Sequence, residues 1–378
     1  MMVSDSVLET DSNSNSNALR DRILESRFEP AQFFANRHLM TIAAAIWPRR
    51  FPLLLKDSVE QHLVDVAPGS KVLAEANLLS DSRAGKNLVV AVHGLEGSGN
   101  SPYMQGLAVK ALLAGFSVLR LNLRNCGGTE ALTDTLYNAG MSDDLIAVAE
   151  WARKKWGFER IFFVGFSLGG NIVLKAAAEL ASSKLAENRD LSASLAAVCA
   201  VSPSVDLERS VDQLELGLNR IYQVTFMRSL REKLKNKAAR FPERYSLAPL
   251  KKLKTVKEFD ETYTAPDGGF ESARHYYEQC SSLSKLGDIR APGLIVAAQD
   301  DPIVPAASFD EVDLKSGPMR LLLPSHGGHG GFLSLLSGDL DKASTICNIP
   351  PHAVGSLKDR FWAENRAIEF CLAASEPS

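Results

Sequence analysis

Residues 161–164, Ile-Phe-Phe-Val, form an apolar run with the length and the β-branched and aromatic character of a buried strand. The run passes directly into Gly165-x-Ser167-x-Gly169 and then into Asn171-Ile-Val-Leu-Lys-Ala-Ala-Ala, which reads as a helix. Strand, sharp turn and helix leave few options for the serine. On so tight a turn its neighbours two before and two after crowd it, so both must be small. The turn lifts the Ser167 hydroxyl clear of the backbone, at the carboxyl end of a strand and the N-terminus of a helix. Backbone N–H groups at that point stabilise a developing oxyanion. This context marks a nucleophile elbow, where a bare glycine-rich helix start would leave Ser167 a bystander.

A strand buried on both sides needs a large core, and 378 residues with 45% hydrophobic and 23% charged side chains supply one. Lys and Arg number 42 against 45 Asp and Glu, a net charge of −3 that offers nothing to a nucleic acid. Five cysteines (Cys126, Cys199, Cys280, Cys347, Cys371) are scattered and odd in number, with no zinc-site spacing. Reduced thiols, a cytoplasmic location and no metal or cofactor are the simplest expectation. Residues 1–27 read as a disordered polar tail, with no basic-then-apolar export signal. Residues 28–56 form an apolar arm. Its run at 38–47 is too short to span a bilayer and reads as a buried or groove-covering helix, with weak contact at a membrane surface as the lesser reading.

Beyond the arm, residues 59–66 and 72–79 alternate as a hairpin closed by Pro68-Gly69. Strands are expected at 87–93, 116–123, 195–201, 293–298 and 319–323. Helices are expected at 102–113, at 142–156 with Ser142-Asp143-Asp144 as its cap, and at 358–373. Strand and helix in alternation predict an α/β fold, a mostly parallel sheet with helices on both faces. The alternation stops at residue 203. Residues 204–280 are charged and helix-like and read as a helical cap dividing the core into 57–203 and 281–378. Tyr222, Phe226, Met227 and Leu230 in this cap suit an acyl channel, but an ordinary packing face is the default.

A serine hydroxyl needs a base within hydrogen-bond reach, itself oriented by a carboxylate. With this elbow the chain order is Ser, acid, His. Only His326, His329 and His352 lie well beyond the cap, and His329 sits in His326-Gly-Gly-His-Gly-Gly-Phe332, where glycines let a loop carry an imidazole over the serine. His326 is its competitor in the same loop. The acid lies in Gln299-Asp-Asp-Pro-Ile-Val-Pro305, at a strand end, as Asp300 or Asp301. The oxyanion hole needs two N–H donors. Leu168 follows the nucleophile, and Leu95 lies in the early loop His93-Gly94-Leu95-Glu96-Gly97-Ser98-Gly99. That loop matches neither phosphate-binding pattern, and His93 precedes the nucleophile, so it reads as a structural hydrogen-bonding residue.

Taken in order, the chain resembles the AB hydrolase 4 family, the YheT-type α/β-hydrolases. The likeness is carried by Asn36-Arg-His-Leu-Met-Thr-Ile42, His93-Gly-Leu-Glu-Gly-Ser98, Arg124-Asn-Cys-Gly-Gly128 and Gly165-Phe-Ser-Leu-Gly-Gly-Asn171. It continues in Phe259-Asp-Glu-Thr-Tyr-Thr-Ala265, Tyr276-Tyr277, Asp300-Asp-Pro302 and Gly327-Gly-His329-x-Gly-Phe332. The Asp-Pro-Ile-Val-Pro run fits the common α/β-hydrolase form with the acid just before the proline, which selects Asp301 and leaves Asp300 to hold its loop. The resemblance implies an α/β-hydrolase fold with Ser167, Asp301 and His329 at the family's triad positions. It also implies hydrolysis of short to medium acyl esters, of small-molecule or lipid type, as by a carboxylesterase or lipase. Thioester or amide hydrolysis and acyl transfer use the same triad, and fold does not choose among them. A lipid-binding protein of low turnover is the reading from another class, and an intact triad argues against it.

Overall fold

The computed structural model describes residues 23, 26–54, 59–79, 86–183, 186–310, 312, 314, 317–334 and 359–375. The polar tail, Cys347 and His352 lie outside the described residues, apart from Ile23, Ser26 and Arg27. The arm contributes α1 (Arg37–Ile46), capped by the Asn36 side chain, which accepts from the His38 and Leu39 amides. The hairpin is β1 (Glu60–Ala67) and β2 (Ser70–Asn77) around Pro68-Gly69, with Gly69 at φ +69°. Next come β3 (Asn87–Val92), α2 (Pro102–Leu113), β4 (Ser117–Asn122), α3 (Ser142–Trp156), β5 (Arg160–Phe166), α4 (Leu168–Ser182), α5 (Ala186–Ser194) and β6 (Leu195–Val201). Helices α6 (Leu207–Leu214), α7 (Arg220–Arg240) and α8 (Ala273–Cys280) stand between β6 and β7 (Gly293–Val296). Strand β8 (Met319–Leu322) and α9 (Trp362–Ser375) complete the chain.

The eight strands lie in one sheet of order β1-β2-β4-β3-β5-β6-β7-β8. β1 is antiparallel to β2 and β2 to β4, and every other pairing is parallel. The unbroken apolar runs follow from burial on both faces. In β3, Leu88, Val90 and Val92 enter one core while Val89 and Ala91 enter the other. Helices α3 and α4 cover the first core, and α2 and α9 the second.

Every strand end lies within two residues of expectation, with the second hairpin strand at 70–77 where 72–79 was expected, and three shifted boundaries show their setting. The elbow strand is longer than its apolar tetrad and reaches Phe166. β7 stops at Val296, because from Gln299, whose amide donates to the Pro324 carbonyl, the chain turns into the acid loop. The closing helix starts at Trp362, after Asp359 has accepted from the Phe361 amide. Ser142 does not cap α3: Met141 occupies that position, and the Ser142 hydroxyl bonds the Glu179 carboxylate instead. Asp144 is taken by a two-pronged pair with Arg124 at 2.6 and 2.7 Å.

Candidate active site

Ser167 occupies the turn between β5 and α4 at φ 53°, ψ −119°, a conformation few residues other than glycine tolerate. Close packing forces it. A Cβ on Gly165 would run into the Gly169 carbonyl, and one on Gly169 would meet the carbonyls of Val92 and His93. The start of α4 is pinned by Asn171, whose amide donates to the Ala139 and Cys280 carbonyls and whose oxygen accepts from the Ser282 amide. The Ser167 turn is thus held by the sheet behind it and by two other segments.

His329 lies across from it. Its Nε2 is 2.9 Å from Ser167 Oγ, and its Nδ1 is 2.9 and 3.1 Å from the two Asp301 carboxylate oxygens. With Asp301 as acceptor, Nδ1 carries the proton and Nε2 accepts from the serine hydroxyl. Asp301 is buried, and its Oδ1 accepts from the Ile303 and Val304 amides at 2.8 and 2.9 Å, which fixes the carboxylate in place. The neighbouring Asp300 faces the other way: it accepts from the Gly328 amide at 2.9 Å and lies 3.3 Å from His326 Nδ1. The Ser–His–Asp chain therefore runs through His329 and Asp301, while His326 and Asp300 pair with each other and tie the acid loop to the histidine loop.

Sequence reasoning missed what lies behind that histidine loop. The His329 amide donates to Thr41 Oγ1 at 2.9 Å, and Thr41 in turn donates to the Arg37 carbonyl. A Cβ on Gly331 would lie 2.7 Å from Met40 Cγ, and Met40 is fully buried. The Ala31 amide donates to the Leu333 carbonyl, and Arg49 fixes the far end of the arm to Glu364 at 2.6 and 2.8 Å. The only signal for this lay in the motif Asn36-Arg-His-Leu-Met-Thr-Ile42, which carries no spacing that announces such a role.

Leu168 is the first residue of α4, where an N–H lacks an intrahelical acceptor. In the early loop the amides flanking Leu95 are engaged: Gly94 donates to Tyr103 Oη and Glu96 to Tyr137 Oη. Leu95 and Leu168 line the same cavity as Ser167. His93 is fully buried, with Nδ1 2.8 Å from the Gly94 carbonyl and Nε2 accepting from the Leu123 amide. Burial pushes its pKa down to about 4, so it holds the loop as a neutral ring.

The cavity over Ser167 is walled on its outer side by Leu207 and Val211 of α6, Phe226 and Leu230 of α7, and Tyr277 of α8. Of the four cap residues, Phe226 and Leu230 line it, whereas Met227 is packed away and Tyr222 bonds His38 at 3.1 Å. Asp260 also reaches this wall, from a single π-helical turn (Asp260–Thr264), and accepts from Tyr277 Oη at 2.8 Å. Burial raises its pKa to about 6. Among the described residues no group of three His, Cys, Asp or Glu side chains is placed to hold a metal, and no helix is long and apolar enough to cross a membrane.

Comparison with known proteins agrees with this architecture. A family model for the alpha/beta hydrolase fold matches residues 87–334. A putative esterase, YheT of Escherichia coli, is 32% identical over 82% of this chain and 87% of its own length. A monoacylglycerol lipase of Saccharomyces cerevisiae is 29% identical over 69% of this chain and 58% of its own. Among solved structures, an esterase of Pyrococcus furiosus superposes with a TM-score of 0.51 at 14% identity, over 85% of this chain and 97% of its own. At that identity the likeness speaks for the fold alone. The chain belongs to the α/β-hydrolase family and is a hydrolase of the YheT type.

Proposed function

We propose that the chain is a serine carboxylester hydrolase acting through Ser167, His329 and Asp301. One observation carries the reading: an unbroken hydrogen-bond chain from the Ser167 hydroxyl through both imidazole nitrogens to a buried carboxylate, opening onto a largely apolar cavity. As Ser167 Oγ attacks the ester carbonyl, His329 Nε2 takes its proton, and Asp301 stabilises the imidazolium. The amides of Leu168 and Leu95 hold the oxyanion. His329 then protonates the departing alcohol, and water activated by the same ring releases the acid from the acyl-enzyme.

Residues 204–280 act in this reading as a cap. The cavity beneath it measures about 80 Å³, less than an apolar cavity of about 150 Å³ that holds one benzene. That size supports a short acyl chain. The names of relatives, an esterase and a monoacylglycerol lipase, support esters over amides. Cytoplasmic residence belongs to the same reading, supported by four described cysteines that are free and buried.

Ser167→Ala tests it. Hydrolysis of p-nitrophenyl butyrate is expected to fall by roughly 10³-fold or more, with the melting temperature unchanged. Retained turnover in that variant would remove the nucleophile from the scheme.

A further inference from the structure

Among the described residues, ten large hydrophobic side chains are strongly exposed, and eight of them come from two short segments. Phe33, Leu39, Ile46 and Leu53 belong to the arm; Leu216, Leu218, Ile221 and Val224 belong to the turn before α7 and its first coils. Scattered singly, such residues need no explanation, but concentrated they mark a contact surface. On α1, Leu39 and Ile46 are seven residues apart and so share one face, opposite the Met40 and Thr41 side that secures the histidine loop.

The two segments lie 160 or more residues apart in sequence, yet they meet in space. His38 Nδ1 of α1 lies 3.1 Å from Tyr222 Oη of α7, and the two rings stack at 5.8 Å. The junction stands at the active site. Thr41, one helical turn from His38, accepts from the His329 amide, and Phe226, one turn beyond Tyr222, lines the cavity over Ser167.

Charge selects the occupant. Residues 33–54 and 216–229 hold five arginines (Arg37, Arg49, Arg50, Arg220, Arg228) and no Asp or Glu, in a chain whose net charge is −3. Arg49 is consumed by Glu364, but Arg50, Arg220 and Arg228 are exposed beside the apolar residues. An apolar rim edged with arginine is the chemistry of docking to an anionic lipid surface. We propose that the arm helix and the start of α7 together form a lipid-docking rim around the entrance to the cavity. This surface seats the enzyme on anionic membranes, so that a water-insoluble acyl ester passes from the bilayer to Ser167 without crossing bulk water.

The test is flotation of the full chain with phosphatidylcholine vesicles, with and without added phosphatidylglycerol. The wild type is expected to float with the anionic vesicles and to lose that binding in high salt. Two double variants of exposed residues, Ile221→Glu with Val224→Glu and Arg220→Glu with Arg228→Glu, are expected to weaken binding at least about tenfold. Both should keep the wild-type melting temperature and hydrolyse a water-soluble butyrate ester within about twofold of wild type. Leu39→Ser with Ile46→Ser reads the arm half of the same surface and should weaken binding likewise. A wild type that floats with neither vesicle, or variants that float undiminished, would overturn the proposal. So would a wild-type dimer in ultracentrifugation that Ile221→Glu with Val224→Glu disperses, since the rim would then be covered by a second copy. Flotation and sedimentation do not depend on ester turnover, so the docking result stands apart from the triad.

Discussion

The two sides of the candidate active site are held by different means. Ser167 rests on the sheet: a core strand delivers it, and backbone packed against backbone at Gly165 and Gly169 leaves its turn no alternative. His329 rides on a loop, and its position is borrowed from Asp300, from Ser202, which accepts from the Gly330 amide, and from Thr41 of the arm. The first arrangement is inseparable from folding. The second is a set of individual hydrogen bonds that can be removed while the fold survives, so position and stability come apart on that side only.

A methyl group on the serine side should expose the contrast most strongly. Gly165→Ala drives a Cβ into the Gly169 carbonyl, backbone that has nowhere to move. Loss of soluble folded protein, or a stability cost of about 4 kcal/mol or more in denaturant titration, is expected. A folded and active Gly165→Ala protein would show that the turn is less tightly constrained than described.

On the histidine side, Thr41→Val removes the acceptor of the His329 amide and keeps the shape of the side chain. Hydrolysis of a soluble ester should fall roughly tenfold, in kcat more than KM, because small displacements of a catalytic group are costly. The melting temperature should stay within a few degrees of wild type. Equal losses of activity and stability would mean that the arm is a general brace and not a support for this one loop.

A pH effect concerns two buried titratable groups, His93 behind the early loop and Asp260 in the cavity wall. His93, on the sheet side, titrates near 4, below the ordinary 6.5, so its contribution is present above pH 6.5 and is lost as pH falls. Asp260, in the cavity wall, is pushed up to about 6 by burial, above the ordinary 3.8, so its contribution is present at low pH and is lost as pH rises through 6. Between pH 6.5 and 4 the two oppose each other. Asp260→Asn keeps an acceptor for Tyr277 and removes one titration. Its stability should therefore fall more steeply than wild type on acidification, by about 2 kcal/mol over that window. Parallel pH profiles would contradict that balance.

Much of the molecule was legible in the sequence where the cause is local. Unbroken apolar runs announce strands buried on both faces, and glycines two before and two after Ser167 announce a turn that only small neighbours allow. Glycines around His329 mark a loop but do not say what it leans on. Thr41 stands 288 residues earlier, and no periodicity links the two. Asp300 and Asp301 illustrate the same limit: adjacent and chemically identical, they are separated only by which way each points, one toward the imidazole and the other toward the Gly328 amide. The cavity face of α7 was equally hidden, since Phe226 lines the cavity while its neighbour Met227 packs inward. Helical spacing shows that such faces exist, but not what each one meets.

Fluorophosphonate labelling of the full chain, compared with His329→Ala and mapped by peptide mass, tests the central claim most directly. The expected result is rapid modification at Ser167 in the wild type and a reaction slower by roughly 10³-fold in the variant, because the imidazole alone makes that hydroxyl nucleophilic. Modification at another residue, or His329→Ala labelled as fast as wild type, would contradict it.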